Sequence, residues 1–177
     1  MPMAPPPPGF PSTDPGPIRY GPRMLHLILY EPEIPPNTGN LMRLCANTGL
    51  HLHLVGTLGF ELDDRRLRRA GLDYRDLAVV QQHEDWPGFL LHWTGGRLYA
   101  LSTKGQARYD QVHFNAGDGL IFGPETRGLP EALLEDPELT AVLRLPMQAQ
   151  SRSLNLSNAA AVVAFEALRQ LDFPGLA

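Results

Sequence analysis

The first segment of the sequence that could do chemistry runs from Pro35 to Gly49, where polar residues follow an apolar run. Its prolines favour an extended approach, and Asn37 or Thr38 is suited to cap the helix that the pattern predicts. At 100° per residue, Cys45 falls on the apolar stripe, so we expect a core residue rather than a nucleophile. Arg43 falls on the opposite, amide-rich face. That face is either a solvated surface or, together with the oriented N–H groups of a helix start, an anion site.

The second segment runs from Gly119 to Pro130, where an apolar strand ends in Gly-Pro-Glu-Thr-Arg-Gly. Such a turn lets backbone atoms approach a ligand closely. Its two glycines have the spacing of a phosphate loop, but Leu and Pro follow where Lys and Ser or Thr are required, and GxGxxG is absent from the sequence. Glu125 either caps Thr126 or pairs with Arg127. Alternatively, its carboxylate orients a substrate or a basic partner such as Arg43.

The third segment runs from Leu145 to Asn158 and is rich in Gln, Ser and Asn. These side chains offer neutral donors and acceptors, which suit a polar ligand, in a loop that then caps a helix. The helix predicted at 156–171 is apolar almost all round and contains many small residues. We expect it to be buried in the core or against a second subunit.

Other candidate sites are weaker. His51 and His53 share a strand face, but a histidine pair without a third ligand is more often structural. The single cysteine excludes an intramolecular disulfide and a multi-thiolate zinc site. The arginines between 65 and 69 form either a solvated face or a phosphate-contacting patch. No GxSxG elbow occurs in the sequence.

Short apolar runs alternate with helical patterns around these segments. The patterns predict strands at 25–30, 50–55, 77–80, 97–101, 119–122 and 141–145, and helices near 38–48, 63–70, 84–92, 130–135 and 156–171. This alternation indicates an α/β fold with a mostly parallel sheet flanked by helices. Ligands bind at the carboxyl ends of strands in such sheets, so the three segments are expected to form the site.

Composition divides the 177 residues into a tail and a domain. Nine of the 18 prolines lie in residues 1–22, so we expect 1–23 to be a disordered extension and 24–177 to be the folded domain. The sequence contains no apolar run of roughly 18 residues and no secretory signal, which predicts a cytoplasmic protein without membrane contact. The net charge of −4 argues against broad attraction to nucleic acid, although a local basic surface remains compatible with it.

Together, the three segments resemble the motifs of the SPOUT RNA methyltransferases. The matching residues are Asn-Thr-Gly-Asn at 37–40 with Arg43, Ile-Phe-Gly-Pro-Glu-Thr-Arg-Gly-Leu-Pro at 121–130, and Leu-Pro-Met at 145–147 with Ser-Arg-Ser-Leu-Asn-Leu-Ser-Asn-Ala at 151–159. The resemblance covers about residues 24–175. It is closest to the branch that methylates the ribose 2′-hydroxyl of the wobble pyrimidine nucleotide of transfer RNA, which the run at 68–74 also resembles.

The resemblance implies a deep C-terminal trefoil knot, a homodimer, and S-adenosylmethionine held in the knotted loops without a metal. Carried over residue by residue, the donor contacts are Leu101, Thr103, Gly123, Leu145, Met147, Ser153, Leu154 and Asn155. The polar catalytic set is Asn37, Arg43, Glu125, Ser153 and Asn155. The implied partner is the anticodon stem-loop of transfer RNA.

The implied reaction makes two demands on the site. A ribose hydroxyl is a poor nucleophile, so it must be aligned with the sulfonium methyl and lose its proton. Arg43 matches the base proposed in the family, yet arginine side chains are almost always protonated, so a substrate phosphate or the neighbouring subunit would have to help. The alternatives are 2′-O-methylation of another transfer RNA or ribosomal RNA nucleotide, and a catalytically silent RNA-binding module.

Overall fold

The computed structural model describes residues 24–61 and 80–177. The strands of this part are β1 (His26–Tyr30), β2 (His51–Val55), β3 (Val80–His83), β4 (Leu98–Leu101), β5 (Ala107–Arg108), β6 (Gly119–Phe122) and β7 (Leu139–Arg144). Its helices are α1 (Pro35–Thr48), α2 (Trp86–His92), α3 (Glu131–Leu134) and α4 (Leu156–Gln170), with a 3-10 turn at Tyr109–Gln111. These strands form one sheet in the order β3-β2-β1-β6-β4-β7-β5, in which neighbouring strands are parallel.

The predicted α/β fold with a mostly parallel sheet is confirmed for this part of the chain. Most strands match the prediction closely, but β7 begins two residues earlier than predicted, and β3 begins at Val80, where the predicted strand ends. The short strand β5 was not predicted, because two residues carry no periodic signal. The predictions for the tail at 1–23, the strand residues 77–79, the helix at 63–70, the arginines at 65–69 and the run at 68–74 lie outside the described residues.

Both faces of the sheet are apolar, as expected of a parallel sheet that helices cover on both sides. Along β1, Leu27 and Leu29 belong to the core on the side of α1 and α4, whereas Ile28 packs with α2 residues on the other side. All four residues of β6 are buried. The core therefore fixes the positions at which the strands end and the functional segments begin.

Helix α4 packs against α1. Ala160, Ala164 and Ala167 are fully buried, which confirms the predicted burial for one face of the helix. On the other face, Val162 and Phe165 are each 45% exposed. Within residues 24–61 and 80–177, no helix is long and apolar enough to cross a bilayer.

A chain of buried histidines crosses β1, β2 and β3. His26 Nδ1 lies 3.0 Å from His53 Nε2, and His53 Nδ1 lies 3.0 Å from His83 Nε2. One nitrogen of a neutral imidazole donates and the other accepts, so the three rings form an ordered hydrogen-bonded chain. His51 stacks on His26 with ring centroids 5.1 Å apart. Among the described residues, no cluster of three or more His, Cys, Asp and Glu is placed to hold a metal ion.

Burial makes this chain of histidines sensitive to acid. It lowers the pKa of His26 to about 3 and that of His83 to about 4, and it holds the pKa of His53 well below the ordinary value of 6.5. Below pH 6.5 the unfolded protein therefore takes up protons that the folded protein excludes. The stability that these neutral histidines contribute is fully present above pH 6.5 and is lost as the pH falls from there towards 3.

We predict that His83→Gln flattens this pH dependence, because the variant has one histidine fewer that must stay neutral on folding. The slope of unfolding free energy against pH should fall by up to about 1.4 kcal/mol per pH unit below the ordinary histidine pKa. Urea unfolding at about pH 7.5, 6.5 and 5.5 measures the slope across that range. His113→Gln, at an exposed position, should keep the wild-type slope. Equal slopes for wild type and His83→Gln would contradict the prediction.

Candidate active site

The segments that follow β1 and β6 meet at one edge of the sheet, because the two strands are parallel neighbours. These segments are residues 31–37 and 123–129. Their main link is the Glu125 carboxylate, which accepts hydrogen bonds from the backbone N–H of Glu33 at 2.8 Å and of Ile34 at 3.2 Å. The bonded residues are separated by 92 and 91 positions in the sequence, so this link depends on the pairing of β1 with β6.

The Asn37 side chain extends this link to the third segment. Its Nδ2 donates to Glu125 Oε1 at 3.0 Å, and its Oδ1 accepts from Asn155 Nδ2 at 2.9 Å. Asn155 Oδ1 accepts from the N–H groups of Ser157 and Asn158 and thereby caps α4. We refer to Glu125, Asn37 and Asn155 as the amide relay. The relay brings together three of the five residues predicted to be catalytic.

The predicted local partners of Glu125 are wrong. Glu125 neither caps Thr126 nor pairs with Arg127. Instead, Glu33 Oε2 accepts from the Thr126 N–H at 3.1 Å and from its hydroxyl at 2.7 Å, and Arg127 pairs with Glu31. The hydrogen bonds from Thr126 lower the pKa of Glu33, which favours its ionised form. Strand pairing places the two segments against each other, so each carboxylate bonds to residues of the other segment rather than to residues of its own turn.

The start of α1 also differs from the prediction. The helix begins three residues early, with Ile34 as its N-cap and prolines at its first two positions. The predicted caps are wrong: Asn37 lies inside the first turn, and the buried Thr38 hydroxyl has no hydrogen-bond partner in the described part of the chain. Prolines have no N–H, and the Asn37 N–H bonds to the Ile34 carbonyl. The N–H of Ile34, the N-cap, donates to the Glu125 carboxylate, so the anion at this helix start is a side chain of the protein itself rather than a ligand.

Arg43 lies exposed on α1, on the face that the periodicity predicted. It follows Asn37 by six residues, which is about 9 Å along the helix axis. The three hydrogen bonds that Glu125 accepts come from Glu33, Ile34 and Asn37, and none of them comes from Arg43. The prediction for Cys45 is confirmed, since the residue is fully buried and burial raises the pKa of its thiol.

The residues assigned to the methyl donor fall into two groups. Leu101, Gly123 and Leu145 lie at or directly after the carboxyl ends of β4, β6 and β7, which are adjacent in the sheet. Thr103 lies in the turn after β4, and a 2.9 Å backbone hydrogen bond ties this turn to β7. These four residues therefore lie along one edge of the sheet.

The second group, Met147, Ser153, Leu154 and Asn155, lies exposed between β7 and the start of α4, where Asn155 is the N-cap. This loop forms a pocket of about 570 Å³, lined by Pro146, Met147, Gln148, Ala149, Ser151, Arg152 and Leu154. Its volume lies within the range of roughly 300–1,000 Å³ that is usual for small-molecule sites. Ser153 is outside this lining and outside the amide relay.

Two glycines let the strand-end loops pack closely against backbone atoms. A Cβ atom at Gly123 would overlap the backbone nitrogen of Leu129, and one at Gly105 would overlap the Leu143 carbonyl group. The close approach predicted for a ligand after β6 is thus made by the chain's own backbone. Gly123 is required there for space, because a side chain would push apart the turn that carries Glu125.

Residues 24–165 match the SpoU rRNA methylase family. The chain belongs to this family. A relative from Saccharophagus degradans, a tRNA (cytidine(34)-2′-O)-methyltransferase, is 57% identical over 152 residues, which cover 86% of this chain and 99% of the relative. The family predicted from the three motifs is thereby confirmed.

Solved structures of the family share this fold. One that concerns the 2-OH methylation of C/U34 on tRNA is 46% identical, with a TM-score of 0.78, and covers 86% of this chain and 99% of its own. The SpoU methyltransferase AviRb from Streptomyces viridochromogenes, in complex with the cofactor AdoMet, is 23% identical and also has a TM-score of 0.78. That match covers 92% of this chain and 66% of the other. At this lower identity the likeness concerns the fold alone.

Sequence reasoning missed Glu33 and Thr126, which link the first two segments. The available signal was the pair of acidic residues Glu31 and Glu33, directly after a strand whose carboxyl end was expected to border the site. Their partners lie more than 90 residues away, so local pattern could not identify them.

We predict that Gly123→Ala destabilises the protein, because its methyl group would overlap the Leu129 backbone. Overpacking of this kind typically costs about 1–3 kcal/mol, which urea unfolding would detect. Gly128→Asn is the matched control: Gly128 has a φ of 69°, has open space around it, and tolerates asparagine better than other side chains. A Gly123→Ala variant as stable as wild type would contradict the packing described here.

Proposed function

We propose that this protein transfers the methyl group of S-adenosylmethionine to the ribose 2′-hydroxyl of the wobble pyrimidine nucleotide of transfer RNA. The observation that carries the proposal is the amide relay, which unites the three motif segments at one sheet edge. The 57% identity to a tRNA (cytidine(34)-2′-O)-methyltransferase supports the nucleotide and the position. A transfer RNA substrate implies binding of the anticodon stem-loop and fits a cytoplasmic location.

The pocket in the loop after β7 suits the methyl donor, which would supply a methyl group on a positively charged sulfur. Apolar side chains of Met147 and Leu154 line the pocket together with polar ones, as a ligand with both a base and an amino-acid part requires. We assign Leu101, Thr103, Gly123 and Leu145 to hold the donor from the strand ends. Ser153, Leu154 and Asn155 would contact it from the loop before α4.

The amide relay acts by orientation rather than by taking up a proton. The Glu125 carboxylate already accepts three N–H groups, and both ends of the Asn37 amide are engaged. These bonds hold the start of α4, and with it Ser153 and Asn155, against the start of α1. A fixed arrangement of donors and acceptors is what aligns a hydroxyl with the group that it attacks.

Arg43 supplies the cation of the site. Guanidinium groups bind phosphate through two parallel hydrogen bonds, so we assign Arg43 to hold a phosphate next to the reacting ribose. In this position the side chain brings the 2′-hydroxyl towards the methyl group. The hydroxyl proton then passes to that phosphate or to a group of a second subunit.

We further propose that residues 24–177 form one methyltransferase domain, preceded by the extension at 1–23, and that the chain forms a deep trefoil knot. Helix α4 contacts α1 and β6, whereas β7, the strand before it, lies beyond β4 in the sheet. The loop from β7 to α4 therefore runs back past the strand ends and the segment at 123–129. Such a return path supports a knotted arrangement.

The exposed face of α4 supports a homodimer. Val162 and Phe165 on this helix are each 45% exposed, and Phe173, which follows the helix, is 38% exposed. Exposed apolar patches often mark protein interfaces, and most soluble oligomers are symmetric assemblies of identical chains. Because α1 packs beside α4, a partner on this face would lie near Arg43.

We predict that Phe165→Asp dissociates the dimer, because it places a charge in an apolar interface. Sedimentation should then give about half the wild-type mass. Leu91→Asp makes the same change at another exposed apolar side chain, on α2, and should leave the mass unchanged. A wild-type protein that sediments as a monomer would refute the dimer.

We predict that Arg43→Ala lowers kcat at least about a hundredfold while leaving the melting temperature unchanged, because the side chain is exposed and aligns the substrate. The assay uses labelled S-adenosylmethionine and unmodified transfer RNA, with the product mapped by nuclease digestion and mass spectrometry. Arg108→Ala, which removes another exposed guanidinium on the edge strand β5, should retain activity.

The same assay distinguishes the alternative functions. Label at another ribose would indicate a different nucleotide of transfer RNA or ribosomal RNA. Label on a base would refute ribose methylation. Binding of RNA without turnover, together with no calorimetric signal for S-adenosylmethionine, would favour a catalytically silent RNA-binding module.

A further inference from the structure

Each of the first two segments of the site supplies a carboxylate that accepts hydrogen bonds from the other segment. Glu125 accepts the Glu33 N–H at 2.8 Å, and the Glu33 carboxylate accepts the N–H and the hydroxyl of Thr126 at 3.1 and 2.7 Å. Because Thr126 directly follows Glu125, these bonds close a ring that contains both carboxylates. We refer to Glu33 and Thr126 as the clasp.

The clasp limits the directions in which the Glu125 carboxylate can point. The side chain of Glu33 fixes the backbone at Thr126, while the backbone of Glu33 holds Glu125 Oε2. The other oxygen, Oε1, is then directed at Asn37 Nδ2, 3.0 Å away. From Asn37 the relay continues to Asn155 at the start of α4. A change at Glu33 therefore reaches α4 through two side-chain hydrogen bonds.

A neighbouring ion pair provides an internal comparison. Arg127 pairs with Glu31 and so also connects the two segments. This ion pair includes none of the atoms that hold Glu125, and the Arg127 side chain is 58% exposed. It tethers the segments without a hydrogen bond to any residue of the amide relay. Comparing the clasp with this ion pair therefore distinguishes the positioning of the Glu125 carboxylate from general tethering of the two segments.

We propose that Glu33 and Thr126 are positioning residues for the methyl transfer, which hold Glu125 in the orientation that aligns the amide relay. Neither residue needs to touch the substrate, because both act through Glu125. The inference rests on the proposed function for its kinetic consequence. It adds Glu33 and Thr126 to the residues that the reaction requires.

The test compares variants that remove one or both of the hydrogen bonds that the Glu33 carboxylate accepts from Thr126. Thr126→Val keeps the shape of the side chain and removes the hydroxyl, whereas Thr126→Ser keeps the hydroxyl. We expect Thr126→Val to lower kcat about tenfold, the usual order for a lost hydrogen bond to a charged group, with KM for transfer RNA within about twofold. Thr126→Ser should restore kcat. Glu33→Ala should lower kcat at least as much as Thr126→Val.

The matched control is Arg127→Ala, which cuts the neighbouring tether and should keep kcat within about twofold of wild type. Wild-type kcat in a folded Thr126→Val variant would overturn the proposal. An equal loss in Arg127→Ala would also overturn it, because general tethering would then explain both results. If Glu33→Ala does not fold, the Val and Ser variants at the exposed Thr126 still decide the matter.

A spectroscopic measurement separates this inference from the proposed function. The side-chain amide signals of Asn37 and Asn155 in a ¹⁵N–¹H spectrum report the relay without any turnover. They should shift in Thr126→Val, return in Thr126→Ser and stay in place in Arg127→Ala. Unchanged signals in Thr126→Val would refute the positioning role. If wild type methylates no transfer RNA, the proposed function fails and these signals alone decide whether the clasp aligns the relay.

Discussion

The site depends on one carboxylate that binds three N–H groups of another segment. Glu125 holds the backbone of Glu33 and Ile34 and the side chain of Asn37, all of which precede it by about half the length of the chain. Hydrogen bonds to a charged acceptor are stronger than those between neutral groups. They hold an exact geometry only if the segments are already adjacent, and the parallel pairing of β1 with β6 ensures this. The sheet brings the two segments close together, and the hydrogen bonds of the Glu125 carboxylate then fix their relative orientation.

Local pattern predicted the parts of this fold whose cause is local. Alternating apolar runs identified the central strands, and helical periodicity placed Cys45 in the core and Arg43 at the surface. Both outcomes depend only on which face of an element meets the core. The three motif segments were found in the same way, since the ends of parallel strands share one edge of a sheet.

The partners within the site could not be predicted from pattern. Glu125 had two plausible neighbours in its own turn, but both bond to acidic residues beyond β1. Ile34, an apolar residue, is the N-cap of α1 because Glu125 satisfies its N–H from outside the helix. In both cases a tertiary contact replaces the local one that propensity favours. Composition likewise gave no sign that histidines from three strands would join in the core.

The hydrogen bonds of the amide relay all run in the same sense. The N–H groups at the start of α4 donate to Asn155, Asn155 donates to Asn37, and Asn37 donates to the Glu125 carboxylate. This chain of hydrogen bonds thus runs from the positive end of the α4 dipole to the negative charge of Glu125, and each bond polarises and strengthens the next. Each asparagine must keep its side-chain nitrogen and oxygen in fixed places. Rotating either amide by half a turn would place donor against donor or acceptor against acceptor.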